Sequence, residues 1–316
     1  MEIFRHIEDP KLSVSNSVVT LGNFDGVHLG HQALIRNTVE AGKRLSCPSV
    51  ILTFEPHPLK VLVPERAPRL ILTHKDKMRL FQSQGVDVVV IQNFDFGFAN
   101  LEAEDFVRIF LIERLKSKEA WVGSDLRFGK GRKGSVDDLI RWGKEFGFAV
   151  GTVAPVIVEE TRVSSSRIRE LIELGEVDRA TKLLGRYHFV SGKVIGGHRR
   201  GRELGFPTAN ISSRNEVVPA DGVYATLLEI EGQQLLSVSN IGLNPTFGEG
   251  PRTIESFILD FDRDIYGASV RLSFVKKLRD EKKFDAVDQL VAQMYGDVGA
   301  ARAIFDSLNL KSVPAV

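Results

Sequence analysis

Val18-Val19-Thr20-Leu21-Gly22-Asn23-Phe24-Asp25-Gly26-Val27-His28-Leu29-Gly30-His31 decides how the first half of the chain folds. The apolar run at its start reads as a buried strand. The loop with Gly22 and Gly26 reads as a tight turn, and an amphipathic helix opens after it. His28 and His31 stand three residues apart. Residues at i and i+3 share a helix face, so both imidazoles are expected to address one ligand. A helix start adds N–H groups without helical partners and the positive end of the helix dipole, which together suit a phosphate. Gly30 lacks the Cβ that would hold a flat base away from the backbone. The other reading of the same residues is two exposed histidines beside a structural turn.

Outward from this stretch the same alternation continues. Strands are expected at 18–22, 49–54, 86–92, 119–123 and 148–154, with helices near 29–45, 74–84, 102–116 and 135–146. Strands joined by helix-length connections imply βαβ units and a parallel sheet. Continuous runs such as Val88-Val89-Val90-Ile91 suit strands covered on both faces. In open sheets of this kind ligands bind beyond the strand C-termini. Gly22–His31, Thr53-Phe54-Glu55-Pro56-His57-Pro58 and Val122-Gly123-Ser124-Asp125 all follow strands there.

After Tyr187 the texture changes. Short runs at 188–195, 222–230, 234–241, 253–260 and 268–274 are separated by turns such as Glu231-Gly232-Gln233, which reads as an antiparallel barrel or sandwich. A last helix is expected over 284–308. The boundary falls near Gly185-Arg186, giving domains 1–185 and 186–316.

Composition agrees with two globular domains: 316 residues, 43% hydrophobic and 26% charged. A net charge of +1 supplies no global field for nucleic acid or an acidic surface. The single cysteine, Cys47, excludes an internal disulfide and a cysteine-based zinc site, and fits a reducing cytoplasm. No signal peptide and no uncharged apolar stretch long enough for a bilayer is visible. Neither a membrane nor a nucleic-acid partner is expected.

Val163-Ser164-Ser165-Ser166-Arg167-Ile168-Arg169 precedes a helical run. Its hydroxyls and Arg169 can clamp a phosphate at a helix start. Alternatively Ser164 or Ser165 is an N-cap and Arg169 is solvated. In Thr53–Pro58 two prolines stiffen a strand exit, where Phe54 and His57 can pack on a flat ring. In Gly123-Ser124-Asp125-Leu126-Arg127-Phe128-Gly129 short polar groups at a strand end suit a nucleotide or flavin. The alternatives here are a rigid turn and an acidic loop.

Together these strings resemble the nucleotidyltransferase superfamily and, within it, bacterial FAD synthetases. The resemblance implies that His28 and His31 stabilise charge on ATP phosphates. It implies ATP or phosphate contacts at Gly22, Phe24, Asp25, Gly30, Ser164, Ser165, Ser166 and Arg169. It implies flavin contacts at Phe54, Pro56, His57, Pro58, Asp125 and Phe128. Two positions depart from the pattern. Ser166 stands where threonine is common, and Leu126 stands where an aromatic is usual.

In the second half, His198-Arg199-Arg200-Gly201-Arg202-Glu203-Leu204-Gly205-Phe206-Pro207-Thr208-Ala209-Asn210 is the most specific string. A basic, glycine-bearing loop can wrap phosphates. Thr208 and Asn210 offer neutral oxygens to a hydrated Mg²⁺. Read alone, the arginines are a weak nucleic-acid patch, which the near-neutral chain disfavours. The string resembles the G-x-P-T-A-N element of riboflavin kinases, small six-stranded barrels. Asn240 to Gly248, Glu255 to Phe261, and Asp264, Tyr266 and Gly267 continue the resemblance in order. It implies ATP contacts at Gly201, Gly205, Pro207, Thr208 and Asn210, with Thr208 and Asn210 also holding the metal. By itself Glu255 reads as an outward-facing residue of an apolar strand. The resemblance makes it the base that takes a proton from the ribityl hydroxyl.

The chain thus resembles the bacterial bifunctional riboflavin kinase/FMN adenylyltransferases from about Val18 to Leu308. That implies an α/β nucleotidyltransferase-type (Rossmann-like) domain followed by a riboflavin kinase barrel with a C-terminal helix. It implies riboflavin, FMN and ATP as substrates, with FAD, ADP and pyrophosphate as products and Mg²⁺ as cofactor. Homo-oligomerisation is left open. Two rivals stand beside it. One is an adenylyltransferase for another substrate with a non-catalytic barrel. The other is a non-enzymatic flavin or nucleotide sensor.

Overall fold

A computed structural model describes residues 1–196, 205–243 and 252–312. The chain divides into two compact units. One comprises Met1–Arg69 with His74–Ser164, the other Leu70–Thr73 with Ser165–Val316.

The first unit is built on a parallel sheet of β1 (Glu2–Arg5), β2 (Ser17–Leu21), β3 (Ser49–Glu55), β4 (Val88–Asn93), β5 (Ser117–Gly123) and β6 (Ala149–Val153), in the order β1-β4-β3-β2-β5-β6. Its connections include α1 (Leu29–Leu45), α2 (Pro58–Leu62), α3 (His74–Ser83), α4 (Phe96–Ala99), α5 (Ala103–Phe106) and α6 (Val136–Phe146). A two-stranded ribbon, β7 (Ile157–Val158) and β8 (Thr161–Arg162), closes the unit. Val18, Val19, Ile51, Leu52, Val89 and Val90 are all fully buried, so the apolar runs are strands covered on both faces. Strand order reverses between β2 and β5. In open α/β sheets ligands bind at such a reversal, beyond the strand ends. Gly22 and Gly123 sit at those two ends.

Two features depart from the expected pattern. β1 joins the sheet edge through parallel pairing with β4. The stretch 102–116 is not one regular helix. It passes from α5 into a π-helix over Val107–Arg114.

The second unit opens with α7 (Ser165–Glu173) and α8 (Val177–Leu184). A closed antiparallel barrel follows, built from β9 (His188–Ile195), β10 (Thr208–Ser213), β11 (Gly222–Ile230), β12 (Gln233–Leu243), β13 (Arg252–Ile258) and β14 (Ser269–Arg279) in the order β10-β13-β12-β11-β14-β9. Five of these strands were expected. The sixth, β10, contains the Pro-Thr-Ala-Asn residues Thr208 and Asn210. Val177 of α8 packs into the same apolar cluster as Val190, Tyr224 and Phe274. α9 (Val287–Ser307) lays Ala301 and Phe305 on the outer face of the barrel, against Val223, Ala225, Leu227 and Val275. The short segment 70–73 belongs here as well. Ile71 is fully buried, and its carbonyl accepts from Asn215 Nδ2 at 3.4 Å.

The barrel interior is not wholly apolar. Thr226, Ser237, Ser239 and Ser256 are fully buried and bond one another: Thr226 to Ser237 at 2.8 Å, Thr226 to Ser239 at 2.7 Å, and Ser239 to Ser256 at 2.9 Å. A satisfied hydroxyl chain of this kind avoids the cost of orphaned polar groups. It also fixes facing, because side chains alternate along a strand. With Ile254, Ser256 and Ile258 inside, Glu255 faces outward.

Candidate active sites

His28 and His31 meet at the start of α1, but not as two residues of one helical face. His28 is the N-cap, with extended φ/ψ of −76° and 174°, and its Nδ1 accepts the His31 N–H at 3.3 Å. The two rings stack with centroids 3.6 Å apart and planes within 15°. Because Nδ1 accepts, a neutral His28 carries its proton on Nε2 and presents that N–H as a donor. A Cβ at Gly30 would lie 3.3 Å from Cε1 and Nδ1 of His28. The glycine therefore makes room for the cap, which is a different reason from access for a base.

The loop before the cap is strained. Phe24, Gly26 and Val27 have φ of 52°, 81° and 41°. For a β-branched residue such as Val27 this costs about 1–3 kcal/mol, and such backbone persists only where its surroundings over-determine it. The bracing is visible. Phe24 is 1% exposed and meets His31 edge-on at 5.2 Å and Phe81 at 5.6 Å. The Val27 carbonyl accepts from Gln32 Nε2 at 2.9 Å. Asp25 is buried in the same loop.

Beside this loop, the exit of β3 carries the proline-rich segment. The Glu55–Pro56 peptide is cis, His57 is the N-cap of α2 through Nδ1 and the Leu59 N–H (3.2 Å), and Pro58 is its first residue. The Asn23 side-chain amide lies 3.3 Å from His57 Nε2. Phe54 and Phe128 are joined by a contiguous aromatic line. Phe54 meets Phe98 at 5.4 Å, Phe98 meets Phe106 at 6.1 Å, and Phe106 meets Phe128 at 5.6 Å. Phe128 itself is buried and also packs near Trp142. Asp125 is exposed and ion-paired with Arg162. Ser164 is half-buried at the end of the first unit. Ser165 and Arg169 are half-buried and Ser166 exposed on α7, in the second unit.

Several residues here escaped the reading of the sequence. Phe94, Phe98 and Phe106 extend the aromatic wall, and their spacing within a phenylalanine-rich stretch was an available signal. Arg162 is the partner of Asp125. Lys77 of α3 is a third case. It is half-buried beside the loop, and its Nζ donates to the Asn23 carbonyl at 3.3 Å and to Thr53 Oγ1 at 3.4 Å. Burial pushes the Lys77 ammonium below the ordinary lysine range, while the charges of Asp25 and Glu55 act in the opposite direction.

On the barrel, Glu255 faces outward beside Thr208, whose hydroxyl donates to Glu255 Oε2 at 3.4 Å. Register places Asn210 and Asn240 directly across from Glu255, on the two neighbouring strands. A row of polar side chains thus crosses β10, β13 and β12. Asn240 Nδ2 donates to Glu281 Oε1 at 3.4 Å, so a second carboxylate, missed in the sequence, borders the row. Phe206 is buried between Phe257 (5.0 Å) and Tyr295 (4.9 Å), which seats the chain just before exposed Pro207 and half-buried Thr208. Gly205 adopts φ of 83° at the start of that approach. Asp264 and Tyr266 form a turn, with the Tyr266 N–H donating to Asp264 Oδ1 at 3.0 Å. Gly201 and the rest of 197–204, like Asn244–Gly248, lie outside the described residues. Among the described residues, no three His, Cys, Asp or Glu side chains gather in a way that would hold a metal ion.

A strand–loop–helix phosphate seat on a parallel sheet, joined in one chain to a barrel with a carboxylate in its polar row, defines a nucleotide-dependent transferase with two sites. The FAD synthetase family profile matches residues 11–167 and the riboflavin kinase profile matches residues 184–305. The bifunctional riboflavin kinase/FMN adenylyltransferase of Escherichia coli (strain K12) is 37% identical over 91% of this chain and 92% of its own. That of Haemophilus influenzae is 34% identical over 97% of this chain and 100% of its own. A crystal structure described as a macrolide-efflux protein from Streptococcus pneumoniae superposes with a TM-score of 0.87 at 36% identity, covering 96% of this chain and 99% of that one. Among the described residues, no helix of this chain is long and apolar enough to cross a membrane. The chain belongs to the bifunctional riboflavin kinase/FMN adenylyltransferase family.

Proposed function

We propose that the barrel phosphorylates riboflavin to FMN with ATP, and that the α/β unit joins FMN to the AMP part of a second ATP, giving FAD and pyrophosphate. The observation that carries this reading is Glu255: an outward carboxylate against Thr208, in register with Asn210 and Asn240. A ribityl hydroxyl is a poor nucleophile at neutral pH. Its attack on a γ-phosphate needs a group to take the proton, which a positioned carboxylate does. Thr208 orients that carboxylate.

The adenylyl transfer asks for something else. The FMN phosphate is already anionic, so no proton has to leave it. The task is positioning and charge stabilisation at the α-phosphate and the departing pyrophosphate. We assign that task to the stacked His28 and His31 and the α1 N-terminus. Gly22, Phe24, Asp25 and Gly30 shape the seat, and Ser164, Ser165, Ser166 and Arg169 act as phosphate ligands. Phe54, Pro56, His57, Pro58, Asp125 and Phe128 make up the flavin side.

The donors on the barrel are all oxygens: the Thr208 hydroxyl, the Asn210 amide and the neighbouring Glu255 carboxylate. That set suits a hard, partly hydrated Mg²⁺, and Thr208 and Asn210 are the residues that would hold it. Bound there, the ion would neutralise phosphate charge. Gly201, Gly205 and Pro207 complete the proposed ATP contacts. We place the functional boundary at Gly185-Arg186, as the end of one family match at 167 and the start of the other at 184 support. A reducing compartment, the cytoplasm, suits the lone free Cys47.

The test is incubation of the full chain with riboflavin, ATP and Mg²⁺, followed by chromatography over time. FMN should appear first and FAD after it. FAD made from supplied FMN, with no FMN from riboflavin, would leave the barrel non-catalytic and overturn half of the reading.

A further inference from the structure

Lys77 is a half-buried charge that the roles assigned for adenylyl transfer do not use. α3 meets the loop at two points on one face. Phe81 packs its ring on Phe24, and Lys77, four residues earlier, reaches the Asn23 carbonyl. That carbonyl takes a second donor, Thr53 Oγ1, at 3.4 Å. Lys77 Nζ also bonds Thr53, so β3, α3 and the loop converge on one backbone oxygen. The next residue, Phe24, is the first of the left-handed positions leading to His28. The Asn23 side chain faces the other way, toward His57 on the proline-rich strand exit.

Resting on the adenylyltransferase reading of this site, we propose that Lys77 is a positioning residue for adenylyl transfer. Its ammonium pins the Asn23 carbonyl, and with it the strained backbone that delivers His28 and His31, to the strand exit bearing Thr53 and His57. A neutral side chain of similar length would fill the space without the cost of partly desolvating a charge. The charge is balanced by carboxylates on two other elements, Asp25 in the loop and Glu55 on β3. Glu55 is shared with His74, one turn before Lys77, at 2.9 Å. A strained loop keeps its geometry only while its anchors hold. A misplacement of about 1 Å at a reacting centre costs about 10²-fold in rate.

Lys77→Met in the full chain should lower kcat for FAD formation from supplied FMN by about 10- to 100-fold, with KM for ATP moved less than about threefold. Riboflavin phosphorylation by the same sample should stay within about twofold of normal. The unsubstituted chain should lose adenylyl transfer toward alkaline pH, at a pH below the ordinary lysine range. The other titratable groups beside this junction are Asp25, Glu55, His57 and His74. The alkaline limb should be absent both in Lys77→Met and in Lys77→Arg, whose charge does not titrate, and Lys77→Arg should keep more activity than Lys77→Met. Thr53→Val, which removes the other donor to the same carbonyl, should lower kcat in the same sense by a smaller factor. A normal kcat in Lys77→Met overturns the proposal, as does equal loss of both activities. If Lys77→Met does not fold, an unchanged kcat in Thr53→Val overturns it. Failure of the unsubstituted chain to make FAD from FMN would count against the adenylyltransferase reading itself.

Discussion

The two candidate sites are built on opposite principles. On the parallel sheet the proposed chemistry sits in loops beyond the strand ends. It relies on backbone: an N-cap histidine, a helix start, and a turn held in left-handed conformations. On the barrel it sits on the strands themselves. Thr208, Asn210, Glu255 and Asn240 point outward from three neighbouring strands whose register fixes their spacing. The difference follows the reactions assigned to them. A nucleophile that is already an anion needs a cradle of donors, which loops and helix N-termini supply. A hydroxyl needs one proton acceptor held at one place, which a rigid strand supplies.

If the contrast is sound, its largest effect appears on the barrel. Glu255→Gln keeps size and most hydrogen bonds but removes the proton acceptor. FMN formation should fall by roughly 10²–10⁴-fold, with riboflavin binding, followed by flavin fluorescence, little changed. Near-normal FMN formation would make Glu255 an ordinary outward strand residue. Next is His31→Ala on the sheet. Losing one preorganised charge stabiliser should lower FAD formation by roughly 10²-fold, with kinase activity near normal. Unchanged FAD formation would remove the stacked histidines from the mechanism.

The third effect concerns where the barrel ends. Val177 of α8 is fully buried in the barrel cluster. A polypeptide of residues 186–316 should therefore be less stable to urea than one of residues 165–316, by about 2 kcal/mol for Val177 alone. Equal stability would mean that α7 and α8 are dispensable to the barrel.

The last effect is a slope with pH. His188 on β9 is buried, and its pKa is pushed down to about 3 by burial first and by the Arg186 charge second. Below its unfolded pKa of about 6.5, the unfolded chain takes up a proton that the folded barrel refuses. Stability should therefore rise with pH between about 3 and 6.5, by at most about 1.4 kcal/mol per pH unit from this residue. Urea midpoints of wild type and His188→Gln across that range check it. The same slope in both would assign the acid sensitivity to other groups.

Much of this was legible in the sequence, for physical reasons that also mark where reading stops. The strand, glycine loop and helix from Val18 onward were legible because a continuous apolar run and a period-3.6 pattern adjoin there. The pairing of His28 with His31 was legible, but its cause was not. Spacing alone suggests a shared helix face, whereas the structure makes His28 a cap. β10 was missed because only Ala209 and Ile211 of Thr208–Ser213 carry its buried face. β1 was missed because two of its four residues, Glu2 and Arg5, are charged. Lys77 was invisible because His74-Lys75-Asp76-Lys77 reads as a solvated charge run. Only tertiary packing turns Asp76 fully inward and Lys77 partly so. Residues 103–114 have a helical pattern that does not separate an α-helix from a π-helix.

The central claim is that one chain holds two machines whose parts do not overlap. It is tested most directly by mixing Glu255→Gln with His31→Ala and supplying riboflavin, ATP and Mg²⁺. Alone, the first should make almost no flavin product and the second should stop at FMN. Together they should make FAD, as FMN released by one chain is adenylylated by the other. A mixture that yields no more FAD from riboflavin than the separate variants, although Glu255→Gln alone makes FAD from added FMN, would contradict the account.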